Sequence, residues 1–184
     1  SRLGGVYFNR GNFSKAKEYW NLSLKISIAN NFSKGMASAF NNIAEISRLE
    51  NKPKEALFLY HKATKILRQL NDDFTLSLYY SNIALSYLEL KQLDSAQYFL
   101  GLSEHLANKQ DDPMLKMRSN FNMGEFFNHS NQSGKATFFY SKVIQHATQL
   151  QDKNFLNDSY QRLAEIYQQD NKPDSALIYL NKWI

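Results

Sequence analysis

Apolar residues follow one another along the chain at the spacing of helices, in stretches that short polar segments separate. One such stretch places these residues on one helical face: Phe40, Ile43, Ala44, Ile46 and Leu49. After a polar segment that contains Pro53, a second stretch repeats the spacing from Ala56 to Leu67. Apolar positions three and four residues apart indicate amphipathic helices. The pattern therefore predicts antiparallel pairs of helices joined by short turns.

The pattern repeats itself at every fortieth residue. One column contains only alanine: Ala16, Ala56, Ala96, Ala136 and Ala176. A second column contains only small residues: Gly4, Ala44, Ala84, Gly124 and Ala164. A third is aromatic except at Ser47: Tyr7, Ser47, Tyr87, Phe127 and Tyr167. A repeat of this length is typical of solenoids, in which small residues allow two helices to cross closely.

Proline and asparagine predict where helices begin and end. Pro53 and Pro173 are expected to start second helices and Pro113 a first helix, because proline suits the first helical turn. A column of asparagines, Asn51, Asn131 and Asn171, is explained by turns.

These columns resemble the tetratricopeptide repeat (TPR) in its long-repeat branch, which includes Leu-Gly-Asn repeat scaffolds, kinesin light chains and bacterial peptide-sensing regulators. The period is longer than the family's commoner repeat of about 34 residues, and we expect the extra residues to lengthen both the helices and the turn between repeats. The usual early tryptophan is replaced by Phe40, Tyr80, Asn120 and Tyr160. The resemblance implies an all-α, right-handed solenoid (superhelix) of antiparallel helix pairs, forming a single domain over 1–184. Its expected units are 1–30 (partial), 31–70, 71–110, 111–150 and 151–184 (partial).

Three asparagines stand in register on successive first helices: Asn42, Asn82 and Asn122. Arginine replaces them in the first and last repeats, at Arg2 and Arg162. A carboxamide can bond both the C=O and the N–H of an extended peptide, and the resemblance implies such a ladder along the concave groove. The alternative is chance recurrence, because the chain contains 19 asparagines.

The same helical face offers further candidates for the groove. We expect these residues to line it: Glu45, Arg48, Leu78, Leu85, Leu88, Glu89, Arg118, Glu125, His129 and Arg162. They would suit a peptide with apolar side chains beside Leu85 and Leu88 and a basic group near Glu45 or Glu125. The alternative is that Glu45 and Arg48 pair with charges of neighbouring repeats.

The composition argues against several other classes of function. The chain has no cysteine, which excludes disulfides and thiolate chemistry. Its four histidines lack metal-ligand spacing, and no phosphate-binding glycine loop occurs. We therefore expect no enzyme, no cofactor and no metal, and no apolar run approaches the roughly 20 residues of a membrane span. The formal charge of +5 raises the question of nucleic acid, but the lysines form no run.

The sequence thus predicts a binding module for a protein or peptide, the sensing or docking part of a longer regulatory protein with an effector domain elsewhere. One alternative is a structural module that associates through the ends of the helix stack. Another is nucleic-acid binding through a basic convex face, which the scattered lysines disfavour. The sequence assigns no compartment, and both a cytoplasmic place and an exported domain of a membrane-anchored regulator fit it.

Overall fold

The computed structural model describes residues 1–183, and in that part of the chain it contains ten α-helices and no strand. First helices are α1 (Arg2–Asn9), α3 (Ser33–Leu49), α5 (Asp73–Glu89), α7 (Pro113–His129) and α9 (Lys153–Gln169). Second helices are α2 (Phe13–Ala29), α4 (Pro53–Gln69), α6 (Leu93–Gln110), α8 (Ser133–Leu150) and α10 (Pro173–Leu180). The predicted all-α class and its helix pairs are confirmed. The helices beginning at Pro53, Pro113 and Pro173 confirm all three predicted starts.

Each first helix packs against a neighbouring second helix, as in the pairs α3 with α4 and α7 with α8. Second helices also contact the next first helix, as α4 does with α5 and α8 with α9. The contacts divide the chain into two compact units, Ser1–Phe99 and Leu100–Ile184, with the boundary inside α6. The single domain over 1–184 and its repeat bounds remain predictions.

Every turn between helices contains one residue with a positive φ, and these residues stand 20 positions apart. They are Gly11, Asn31, Asn51, Asn71, Lys91, Asp111, Asn131, Gln151 and Asn171. At one turn the N–H of Asn51 donates to Arg48 O (2.9 Å) and that of Lys52 to Ser47 O (2.8 Å). This pair of bonds satisfies carbonyls at the helix end. The turn explanation of the second asparagine column is therefore confirmed.

The turns between repeats are no longer than the turns within them. Three residues lie between Leu49 and Pro53 within a repeat, and three lie between Gln69 and Asp73 at the next boundary between repeats. The two later boundaries are shorter, with two residues at 111–112 and two at 151–152. The expectation of a longer turn between repeats was wrong. The extra residues of each repeat lie in its helices, which are 17 residues long in α3, α4 and α5. The physical reason is that one left-handed residue followed by a cap reverses the chain equally well at either place.

The small column lies where first and second helices cross most closely. A Cβ added at Gly4 would come within 2.3 Å of Trp20 Nε1, and one at Gly124 within 2.7 Å of Tyr140 Cε1. Both aromatic rings are buried. Small residues in this column are thus required by the bulk of the side chain on the facing helix.

The aromatic column forms stacked pairs with residues 12 positions later. Near-parallel rings with centroids 5.3–5.6 Å apart occur at Tyr7–Tyr19, Tyr87–Phe99, Phe127–Phe139 and Tyr167–Tyr179. Ser47, the exception, is fully buried and donates to Ile43 O (3.2 Å) and Glu55 Oε1 (3.1 Å). A polar contact therefore takes the place of ring stacking in the second repeat.

Candidate binding surface of the first helices

Two of the predicted ladder asparagines lie in the first unit and are joined through a third. Asn82 Nδ2 donates to Asn41 Oδ1 (3.0 Å), and Asn41 Nδ2 donates to Asn42 Oδ1 (3.3 Å). All three side chains are half-buried. The structure thus connects Asn42 on α3 with Asn82 on α5. Asn41 could not be predicted from the repeat, because its column holds unrelated residues, Ser81, Phe121 and Gln161.

A charged network runs beside these amides. Arg48 donates from Nη2 to Glu45 Oε1 (2.6 Å) and from Nη1 to Glu89 Oε1 (2.5 Å), which joins α3 to α5. Tyr60 OH on α4 donates to Glu45 Oε2 (2.7 Å). Burial raises the pKa of the Tyr60 phenol, and the neighbouring Glu45 carboxylate adds to this rise. The alternative is therefore confirmed for Arg48, which pairs with Glu89 of the next repeat, whereas Glu45 bonds Arg48 and Tyr60 of its own repeat.

The predicted apolar stretch is only partly accessible. Leu78 and Leu85 are half-buried, whereas Leu88 is 5 % exposed and belongs to the core. An extended peptide cannot contact Leu88 without moving the helices that cover it. The prediction that Leu88 lines the groove is therefore wrong, because its side chain is packed in the core.

The second unit contains a related network. Tyr140 OH donates to Glu125 Oε1 (2.6 Å), and Arg162 pairs with Glu125 (2.9 Å) and Glu165 (3.0 Å). Burial raises the pKa of Tyr140, and the Glu125 carboxylate reinforces the shift. Glu125 is thus occupied by the protein's own groups.

The remaining candidates of the second unit differ in exposure. Asn122 is 7 % exposed, so its carboxamide is nearly inaccessible. Arg118 is half-buried and engaged in interactions, and His129 is exposed.

The tyrosines of these networks, Tyr60 and Tyr140, were not among the predicted site residues. Tyrosine stands 15 positions after glutamate at Glu45 and Tyr60 and again at Glu125 and Tyr140. In the third repeat Leu85 replaces the acid and Leu100 the phenol. The last repeat keeps the acid, Glu165, but has Leu180 in place of the phenol. The pairing of glutamate with tyrosine is therefore only a partial signal of the two hydrogen bonds.

Two other features limit the chemistry of the described residues. They contain no group of three or more histidine, aspartate or glutamate side chains able to hold a metal ion. Across residues 1–183, every helix is too short or too polar to cross a lipid bilayer.

Comparison with known proteins gives a consistent result for the fold. Residues 158–184 match the family model of the tetratricopeptide repeat. BtubC (BKLC) from P. vanneervenii superposes with a TM-score of 0.79 at 14 % identity, over 98 % of this chain and 75 % of that one. The chain has the TPR fold.

Two further solved structures share this TPR fold. A putative kinesin light chain of Podospora anserina with nearly identical TPR-like repeats gives a TM-score of 0.70 at 16 % identity, over 99 % of this chain and 90 % of that one. The apo form of RapI superposes with a TM-score of 0.79 at 16 % identity, over 98 % of this chain and 64 % of that one. No curated protein matches the sequence. TPR proteins generally present extended surfaces for protein partners, and such scaffolds are generally not enzymes.

Proposed function

We propose that the chain is a protein-binding TPR scaffold whose first helices α3 and α5 hold an extended peptide segment of a partner. The partner is a protein or peptide, and the chain needs no cofactor and performs no catalysis. By analogy with regulators of this fold, the scaffold is the docking part of a longer protein.

The unused hydrogen-bonding capacity of two carboxamides is the observation that carries this proposal. Among the described residues, Nδ2 of Asn42 and Oδ1 of Asn82 have no hydrogen-bond partner. The Asn41 side chain fixes the orientation of both amides. One free donor and one free acceptor on neighbouring first helices match the C=O and N–H of a peptide backbone.

The surroundings indicate which peptide would fit. Arg48 already neutralises Glu45 and bonds Glu89, so a basic anchor at Glu45 would have to displace an internal ion pair. Half-buried Leu78 and Leu85 offer apolar contact on α5 instead. The proposed ligand is therefore held through its backbone and through one apolar side chain.

The test is a pair of variants compared with the wild-type chain. A partner captured by the wild-type protein is reduced to its shortest binding peptide, and affinity is then measured by fluorescence polarisation. Asn82→Ala should weaken the peptide by roughly 1–3 kcal/mol, since a polar group of the bound peptide loses its partner. Asn21→Ala, on the exposed side of α2, is the matched control and should leave affinity unchanged.

Urea unfolding of both variants separates binding from folding. A loss of affinity for Asn82→Ala at nearly wild-type stability would support the proposal. Equal affinity of Asn82→Ala and the wild-type chain would contradict it, and so would a peptide whose binding is unaffected when Leu85 is replaced by serine.

A second candidate function, self-association, is favoured by an apolar cleft of about 600 Å³ bounded by α1, α2 and α3. Leu22, Ile26 and Phe32 on its wall are each more than half exposed. Phe32 also occupies the position at which Asp72, Asp112 and Asp152 cap later first helices, and it makes no capping bond. Sedimentation over a concentration range should show dimers that Phe32→Asp abolishes, whereas a monomer at every concentration would remove this candidate.

A further inference from the structure

A polar cleft of about 370 Å³ lies in the second unit between the end of α6, the beginning of α7 and α8. Its wall includes Glu104, Lys116, Ser119, Asn120, Lys142 and His146. This volume falls in the range of about 300–1,000 Å³ that small-molecule sites occupy. Its lining residues include none of the asparagines that the function proposed above uses.

The internal repeat shows that four of these polar residues replace mostly apolar ones. The column of Lys116 otherwise holds Met36, Leu76 and Leu156. The column of Asn120 otherwise holds Phe40, Tyr80 and Tyr160. The column of Glu104 otherwise holds Leu24, Thr64 and Ile144, and that of His146 holds Ile26, Ile66 and Leu106. Four departures from the repeat thus come from three helices and meet in one place.

The corresponding residues of the first unit show what the departures remove. Leu67, Leu76 and Tyr80 are buried core residues there, with exposures of 2 %, 6 % and 6 %. Their counterparts in the second unit are Ala107, Lys116 and Asn120, and the space they leave is the cleft. Giving up this much apolar burial costs stability. Local departures from a repeat that cost stability without compensation are expected at functional sites.

The side chains of the cleft provide both signs of charge. Lys142 Nζ lies 4.5 Å from the ring centroid of Phe138 and has no carboxylate partner among the described residues. Lys116 contacts the exposed carboxylate of Asp111 at the rim. Glu104 has no ion-pair partner in the described part of the chain, and Ser119 and Asn120 add a hydroxyl and a carboxamide. Ammonium groups from α7 and α8 and a carboxylate from α6 complement a ligand that carries both charges.

We propose that this cleft binds a small zwitterion of the amino-acid class. Lys116 and Lys142 receive its carboxylate, and Glu104 receives its ammonium group. Asn120 provides donors and an acceptor to the rest of the ligand in the space that an aromatic ring fills in the other repeats.

The experiment uses the ¹⁵N-labelled full chain and the twenty L-amino acids as probes. Each is added at about 5 mM, which saturates a site with a Kd of about 1 mM or less. Acetate and methylamine, which carry only one of the two charges, are measured beside them. We expect at least one amino acid to give saturable shifts at the amides of residues 104, 116, 119 and 146, and both half-ligands to bind at least tenfold more weakly.

Three variants make the result specific to the cleft. Glu104→Gln and Lys116→Met should each weaken binding about tenfold or more, the loss typical of a bond to a charged group. Lys91→Met, in a turn of the first unit, is the control for charge and should bind as the wild-type chain does. Asn120→Tyr restores the aromatic residue of the repeat, and it should abolish binding while raising the melting temperature.

The outcomes that would overturn the proposal are equally concrete. No saturable shift in the cleft with any amino acid would refute it, and so would equal binding by the half-ligands. Unchanged affinity in Glu104→Gln and Lys116→Met would place the ligand elsewhere. Since none of these residues belongs to α3 or α5, the result is independent of the peptide experiment.

Discussion

At the crossing of α7 and α8, the absence of one methyl group at Gly124 leaves room for the ring of Tyr140. That ring is fully buried and held by its bond to Glu125, so it cannot swing aside. Gly101, in the middle of α6, has nothing within 4 Å of an added Cβ. The two glycines therefore make a matched pair, one fixed by packing and one free of it.

We predict that Gly124→Ala lowers the free energy of unfolding by about 1–3 kcal/mol, the usual cost of overpacking. Gly101→Ala should raise it by about 0.5–1 kcal/mol, because alanine is the better helix former. Urea unfolding followed by circular dichroism measures both. A stabilised Gly124→Ala variant would show that the helices separate easily and that the small column is not a packing constraint.

Single residues also show the limit of reading columns from sequence. The small column was predictable, since steric demand depends only on the residue that occupies the position. The environment of Glu45 was harder to predict, because a side chain on the helix face can turn to a peptide or to Tyr60 and Arg48. The structure gives the second arrangement. Which polar groups remain free for a ligand depends on such neighbours, and periodicity does not contain that information.

At the scale of the helix, the beginning of α5 depends on Asp72. Its carboxylate accepts from the Thr75 N–H (3.1 Å) and pairs with Lys34 of α3 (3.1 Å). Burial alone would raise the pKa of Asp72, but the Thr75 bond and the Lys34 ammonium outweigh it, so the pKa lies below its ordinary value. A carboxyl group whose pKa is lower in the folded state stabilises the fold above its unfolded pKa. That stability is lost as the pH falls through the folded pKa.

We predict that Asp72→Ala destabilises the protein by about 1 kcal/mol at neutral pH, the typical value for an N-cap. Asp72→Asn keeps the accepting oxygen and loses only the charge. Its deficit relative to the wild-type chain should be present at pH 7 and shrink as the pH falls below about 4. Glu18→Gln, exposed on α2, is the control, and an Asp72→Asn deficit that is independent of pH would contradict the assignment.

The helices themselves were largely predictable. Their spacing, the prolines at their starts and the asparagines of their turns all follow from local chemistry, and the structure agrees. The polar cleft was not predicted, although Asn120 is one of the residues that replace the usual tryptophan of the repeat. Glu104, Asn120 and His146 are far apart in sequence, and only the packing of α6, α7 and α8 brings them to one wall.

At the scale of the whole molecule, the helices within each compact unit pack chiefly against their neighbours in sequence, as α3 does against α2 and α4. In such repeat proteins stability is roughly a sum of local terms, and a local defect stays local. The Gly124→Ala variant can therefore test stability both at the crossing of α7 and α8 and in helices far from it in sequence.

We predict that Gly124→Ala speeds amide hydrogen exchange about 5- to 150-fold in α7 and α8, as a loss of about 1–3 kcal/mol requires. Exchange in α2 and α3 should stay at the wild-type rate. Mass spectrometry of peptic fragments provides the measurement, with Gly101→Ala as the control. Acceleration of equal size in all helices would mean that the chain opens as one cooperative body.

The evenly spaced turns have a consequence for how such a chain can grow. Because a left-handed residue recurs every 20 positions, a segment of 40 residues that is cut out between two turns can be rejoined without shifting the boundaries of the next helix. Gene segments of this kind can be duplicated, lost or exchanged by unequal recombination while every surviving boundary still fits. A cleft such as the one at Asn120 could then diverge in one copy while the other copies preserve the fold.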